Sequence, residues 1–298
     1  MLIYEVKIEN LSQRADIFIH KQTPHINRSL VKQLAYQGKL HFKKKQIQAG
    51  YKFKTTGQLI LDYELKETTV IPSLKLNILY EDPHLLVINK PSGVIVYSRN
   101  RYSNEPSIAS SLRTHWQWPA LTIDSLQSEY RAGIAHRLDR ATSGLLICGR
   151  TKDIVNSLQQ QFTQRLIEKN YICLVESNTK LPKQGLIDKP IDRQKSNRNR
   201  FKVSQQGKEA QTVFKIKEKF PHCLLLEIQT KTGRTHQIRV HLASINSPII
   251  GDQLYGGQKA KRLMLHASKI SFKHPITGKI LCIKAQCPQE FKDYQNAQ

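Results

Sequence analysis

The chain has 298 residues, 39% of them hydrophobic, which is enough to build a core of one or two domains and excludes a disordered or fibrous protein. Lysine and arginine number 47 against 23 aspartates and glutamates, a formal net charge of +24, and so much positive charge points to a polyanionic partner whose counterions it releases. No segment approaches the roughly 20 apolar residues of a spanning helix, and the opening Met1-Leu2-Ile3-Tyr4-Glu5-Val6 is too short and too soon acidic for a secretory signal, so a cytoplasmic protein with no membrane partner is expected.

Residues 1–72 read as a separate unit. After Gln13 to Ile19, Asn27 is placed to cap a helix that carries Leu30, Val31, Leu34 and Ala35 at helical spacing and stops at Gly38. Lys39 to Lys45 and Leu59-Ile60-Leu61 then read as small strands separated by turns. Thr68 to Ser73, with Pro72, reads as a linker that divides the chain into 1–72 and 73–298. Beyond it, Leu85-Leu86-Val87-Ile88-Asn89 lies between Pro83 and the Lys90-Pro91-Ser92-Gly93 turn, which predicts a buried strand.

Trp116 and Trp118 read as hydrophobic anchors. Ile154, Leu158 and Phe162, following Asp153, predict a helix, and Tyr171 to Val175 a strand. The basic stretch Asp192 to Lys202 lacks periodicity and reads as a mobile loop. His222 to Thr230 predicts another strand, and a helix follows from about Thr235 to Ile245. With Ile238, Leu242 and Ile245 facing the core, Arg239 falls about 100° round on a flank that can reach a cleft. The five scattered cysteines, Cys148, Cys173, Cys223, Cys282 and Cys287, fit reduced thiols and lack zinc-site spacing, so no metal is expected.

The most informative stretch runs Gly133-Ile134-Ala135-His136-Arg137-Leu138-Asp139-Arg140-Ala141-Thr142-Ser143-Gly144-Leu145-Leu146-Ile147. Its single carboxylate sits beside His136, Arg137 and Arg140, whose positive charge favours the anion. An ionised aspartate can act as a nucleophile. An arbitrary Asp next to an Arg is more often a structural ion pair, but this stretch resembles the active-site signature of the RluA-type pseudouridine synthases. Thr232-Gly233-Arg234-Thr235-His236-Gln237-Ile238-Arg239-Val240-His241-Leu242-Ala243 is similar to that family's second long motif. Pro248-Ile249-Ile250-Gly251-Asp252, Tyr255-Gly256 and Leu265-His266-Ala267 follow in the family's order, so the resemblance covers residues 76 to 287.

The resemblance implies an α+β catalytic fold with a mixed, largely antiparallel sheet, preceded by a small α/β RNA-binding domain. It implies a catalytic trio of Asp139, Arg239 paired with it, and Tyr171 lying against the target uracil as a proposed base. His136, Arg137, Arg234 and Leu265 are expected at the substrate, with Arg137 filling the stack when the target base is flipped out. The reaction implied breaks a glycosidic bond, rotates the uracil and rejoins it through carbon; it is redox-neutral, and no cofactor is expected. Asp139 either adds to the anomeric carbon or assists loss of the proton on the adjacent ribose carbon.

Residues 1–72 resemble an S-four-like RNA-binding domain, with Lys44-Lys45 where that domain has an Asn-Gly turn. The extra domain favours ribosomal large-subunit RNA as substrate, with transfer RNA second, and a monomer is expected. A non-catalytic RNA-binding or assembly factor would have no need for Asp139, Tyr171 and Arg239 together, and no helix-turn-helix or zinc motif supports a duplex-DNA binder.

Overall fold

The computed structural model describes residues 1–23, 26, 28–63, 73–97, 105–118, 133–178, 180–194, 196–197 and 199–296. They fall into two compact units, one within residues 1–63 and one from residue 73 onward. Asn27 and the expected linker, apart from Ser73, lie outside the described residues.

The first unit contains β1 (Leu2–Val6), α1 (Ala15–Gln22), α2 (Arg28–Tyr36), β2 (Leu40–Phe42), β3 (Lys45–Gln46) and β4 (Gly57–Leu61). Its strands form one antiparallel sheet in the order β1-β4-β2-β3. The expected helix is α2, which buries Val31, Leu34 and Ala35 and ends ahead of Gly38 at φ +77°. β1 and α1 were not anticipated; α1 hides Ala15, Phe18 and Ile19 at i, i+3 and i+4, and its buried Asp16 pairs with Arg14 and Arg28. The hairpin turn also shifts by one residue, because Phe42 pairs with Lys45 and the turn is therefore Lys43-Lys44. Both lysines have positive φ, 49° and 64°, as the twist of a two-residue hairpin demands.

The second unit is built on a nine-stranded sheet comprising β5 (Ile78–Glu81), β6 (Leu85–Lys90), β7 (Ser143–Gly149), β8 (Glu168–Glu176), β9 (Gln184–Asp188), β12 (Gln211–Lys219), β13 (Cys223–Thr230), β14 (Leu265–Lys273) and β15 (Ile280–Lys284). The order is β5-β6-β7-β14-β8-β13-β12-β9, with β15 added to β14. All pairings are antiparallel except β7 with β14. That is the mixed, largely antiparallel sheet of the expected fold class. Between β9 and β12, β10 (Ile191–Arg193) and β11 (Phe201–Val203) pair as a separate ribbon. The ends of the basic stretch read as a mobile loop are thus strands, held by a backbone ladder that leaves no hydrophobic period to read.

Both faces of this sheet are covered, which is why β6 and β7 are continuous apolar runs. Leu86, Ile88, Leu146 and Cys148 pack with Ile108, Ala109 and Leu112 of α3 (Ile108–His115), and Trp116 joins them as an anchor. On the other face Leu85, Val87, Leu145 and Ile147 meet Ile154 and Leu158 of α4 (Lys152–Thr163), which Thr151 caps. The helix expected over 235–245 is the shorter α5 (Gln237–Ala243), and α6 (Gln289–Asn296) closes the chain. At the seam between β7 and β14, Gly144 has φ +113°, and a Cβ there would lie 2.3 Å from the Ala267 carbonyl oxygen.

Asp82 ties the β5–β6 hairpin to the β14–β15 turn. It accepts hydrogen bonds from Tyr80, from the His84 and Leu85 amides and from Nε2 of the buried His274. Burial opposes its charge, yet these donors hold its pKa down at about 2 against an ordinary 3.8. A carboxylate with a depressed folded pKa adds stability above the unfolded value and loses it as pH falls through the folded one. The expected increment is about 2 kcal/mol, present at pH 5 and lost between about pH 4 and 2. Urea unfolding across that range should show the loss, and Asp82→Asn should flatten the dependence while lowering stability at pH 7.

Candidate active site

Asp139 lies on the loop that enters β7, and the packing of its neighbours aims it. Leu138 is buried in the core, so the flanking Arg137 and Asp139 turn outward to the same cavity. The Lys90–Gly93 turn grips the far side of the loop. The Gly93 amide donates to the Arg140 carbonyl, Ser92 Oγ to the Ala141 carbonyl, and Arg140 Nε to the Gly93 carbonyl. Lys90 is fully buried, and its Nζ donates to the carbonyls of Pro91, Val94 and Arg140, one for each ammonium proton. Burial pulls its pKa down to about 7, against the attraction of Asp139.

Of the residues beside Asp139 in sequence, Arg137 lines the same cavity, while His136 and Arg140 bring it no charge. His136 uses Nε2 to accept the Ile147 amide, its ring lies 4.4 Å from that of Phe162, and burial drives its pKa down to about 3, so it is neutral. Arg140 turns to the surface and pairs with Glu105. Arg239 is beside Asp139 as expected, its Nη1 3.6 Å from Oδ2, and His236 Nε2 stands 3.8 Å from the same oxygen. Residue adjacency misled here because an extended loop sends successive side chains to different surroundings.

The first partner of Arg239 is likewise not Asp139. Its Nε and Nη2 donate to the two carboxylate oxygens of Asp252 at 2.7 and 2.8 Å. Burial opposes the guanidinium charge, but the Asp252 bonds and the charge of Asp139 outweigh it and raise the pKa. His236 begins the helix in the left-handed region at φ 57°, and its Nδ1 lies 2.8 Å from Tyr255 Oη. Tyr255 Oη already accepts the Phe201 amide, which assigns its proton to His236 Nδ1 and leaves Nε2–H facing Asp139. Burial lowers the His236 pKa in the face of Asp139.

Two further polar residues of the motif are held within the protein. Gln237 satisfies its whole amide, accepting from Thr232 Oγ1 and the Arg234 amide and donating to the Gln211 carbonyl and Thr212 Oγ1. His241 bridges Thr212 Oγ1 and the Lys189 carbonyl. Ile238 and Leu242 enter the core as expected.

Tyr171, on β8 between Ile228 and Ala267, faces the cavity, and burial together with the Asp139 charge pushes its phenol pKa up. It is protonated at neutral pH. Leu265, the first residue of β14, is buried and forms part of the cavity wall. All seven residues singled out in the sequence, Asp139, Tyr171, Arg239, His136, Arg137, Arg234 and Leu265, line one cavity of about 590 Å³. Arg165, Lys169 and Lys231 join Arg137 and Arg234 in its lining, with Phe162 beside them. Sequence spacing assigns His236 only to a motif and Phe162 only to a helix, and Lys169 stands just ahead of the strand expected from Tyr171. Nothing local in sequence marks a helix or strand side chain as facing a cavity.

The profile of the RNA pseudouridylate synthase family matches residues 84–244, which hold the Lys90–Gly93 turn, the Asp139 loop and α5. The chain is 33% identical to the ribosomal large subunit pseudouridine synthase C of Buchnera aphidicola, over 99% of its own length and 96% of that protein. It is 37% identical to the ribosomal large subunit pseudouridine synthase D of Nitrosomonas europaea, over 73% of this chain and 64% of the other. Its fold matches human RNA pseudouridylate synthase domain containing 4 with a TM-score of 0.58 at 24% identity, over 72% of this chain and 90% of that one. The site and fold are those of an isomerase acting on RNA. The chain belongs to the RNA pseudouridylate synthase family, in its RluA-type branch.

Lys90→Met should remove the three hydrogen bonds that the ammonium gives to the Pro91, Val94 and Arg140 carbonyls and lower stability by about 2–4 kcal/mol. The urea midpoint reads this directly, and the turnover of the folded fraction should fall with it because the Asp139 loop loses its support.

Proposed function

We propose that this protein converts specific uridines of large-subunit ribosomal RNA to pseudouridine in the cytoplasm, with Asp139 as the reacting carboxylate and without a cofactor. The observation that carries the reading is Asp139 flanked by Arg239 and His236 inside a cavity with a basic lining. The names of the full-length relatives support ribosomal RNA as the substrate. The uridine leaves its stack to reach this cavity, at a cost of a few kcal/mol. Arg137, exposed and 5.8 Å from the Tyr97 ring, is the planar cation suited to fill the space left behind. Arg165, Lys169, Lys231 and Arg234 hold phosphates of the extruded strand.

Within the cavity the Asp139 carboxylate meets the ribose. It either bonds to the anomeric carbon as the glycosidic bond to nitrogen breaks, or takes part in removing the neighbouring ribose proton; both routes need the anion that Arg239 and His236 support. The uracil, held against Tyr171 and Leu265, turns and rejoins through its ring carbon, whose proton is then lost. Tyr171 begins this as a neutral phenol, so it orients the base, and it takes up the ring-carbon proton only after giving its own to water. The protein acts as a monomer, and its first unit is an S-four-like RNA-docking domain whose Lys43-Lys44 turn presents cations to phosphate.

Asp139→Asn keeps the shape and removes the anion, so pseudouridine formation should vanish while RNA affinity holds; Arg239→Lys should rescue little over Arg239→Ala, because an ammonium cannot reproduce a two-point guanidinium pair. Mapping pseudouridine across total RNA with and without the protein checks the substrate, and activity surviving in Asp139→Asn refutes the mechanism. Replacing Lys43, Lys44 and Lys45 by Gln should make the salt dependence of RNA binding shallower, by about 0.7–0.9 for each lysine that meets a phosphate. An unchanged slope would assign the first unit another task.

A further inference from the structure

Neither Asp252 nor Tyr255 lines the cavity, yet the two groups that face Asp139 are each held by one of them. Asp252 and Tyr255 are the two ends of a single tight turn. The Tyr255 and Gly257 amides both donate to the Asp252 carbonyl, and the Asp252 amide donates to the Ile249 carbonyl. Gly251 precedes it at φ +84°, where a Cβ would collide with the Arg262 carbonyl. The turn therefore has little freedom of its own.

From this turn Asp252, its side chain 1% exposed, takes the Nε–Nη2 edge of Arg239 and leaves Nη1 for Asp139. Tyr255 lays its ring 5.1 Å from the same guanidinium and puts its hydroxyl 2.8 Å from His236 Nδ1, which fixes Nε2 toward Asp139. A guanidinium gripped on one edge has one orientation left for the other. The left-handed backbone at His236 is a strained conformation that the surroundings must hold.

We infer that the Asp252–Tyr255 turn is a clamp whose two side chains are positioning residues for the reaction, fixing Arg239 and His236 around Asp139. The inference rests on the reading of Asp139 as the reacting carboxylate. The Asp252 carboxylate bonds Arg239, so its loss acts on the chemical step; Tyr255 also accepts the Phe201 amide and lies 5.5 Å from the Arg200 guanidinium, so for its variant the rate is read on fully bound RNA.

The test uses the full-length chain and measures single-turnover pseudouridine formation, RNA affinity and melting temperature for Asp252→Asn, Asp252→Glu, Tyr255→Phe and Asp139→Asn. Asp252→Asn and Tyr255→Phe should each slow the single-turnover rate by about ten- to a hundredfold, as a slight misplacement of reacting groups does, with RNA affinity unchanged. Asp252→Glu, which keeps the charge, should recover part of the loss. Full rate in either Asp252→Asn or Tyr255→Phe overturns the clamp, as does a rate loss matched by an equal loss of RNA affinity. Should Asp252→Asn fail to fold, Tyr255→Phe decides alone, since it keeps the ring and removes one oxygen. If Asp139→Asn is inactive while the clamp variants keep the full rate, the clamp alone is wrong; activity in Asp139→Asn means the catalytic reading has failed.

Discussion

The second unit of this protein is arranged around one constraint, a carboxylate held mostly out of water beside a guanidinium. The Asp139 side chain is only 17% exposed, and the charges that sustain it come from a helix nearly a hundred residues later in the chain. Loss of hydration penalises the anion. A fixed guanidinium and an imidazole N–H replace part of the lost water at a definite distance. Because Arg239 is itself buried, it takes a carboxylate of its own in Asp252, so one guanidinium stands between two carboxylates.

Aim is supplied separately from charge. The Asp139 loop is clasped by the Lys90–Gly93 turn through its carbonyls and enters β7 at the seam where Gly144 lets β14 come close. That division leaves the cavity free to be lined by arginines and lysines together with the apolar Leu265 and Phe162. Polar groups that serve only the frame, such as Gln237 and His241, spend all their hydrogen-bonding capacity within the protein.

Much of this was legible in the sequence where the signal is local. The run Leu85 to Asn89 and the spacing of Ile154 and Leu158 announce buried elements because apolar period reports burial directly. The seven site residues were found through long motifs. What was not legible depends on three-dimensional pairing. His136 and Arg140 flank Asp139 in sequence, yet one is neutralised by burial and the other faces solvent. The bond from Arg239 to Asp252 joins two blocks whose spacing reveals no contact, and the β10–β11 ribbon is too short and too charged to carry a strand pattern. α1 escaped because its apolar positions are few and its one acid is buried between arginines.

The order of the sheet also sets an order of assembly. β5-β6-β7 and β8-β13-β12-β9 are two antiparallel sets, each complete in itself, and the strand that joins them, β14, comes after both in the chain. Asp139 is attached to the first set and Tyr171 belongs to the second. During synthesis at about 5–20 residues per second, the stretch of roughly 120 residues from β7 to β14 takes on the order of 6–24 s to emerge. Until it does, the carboxylate and the tyrosine belong to separate half-sheets, and the cavity that holds both is not yet formed.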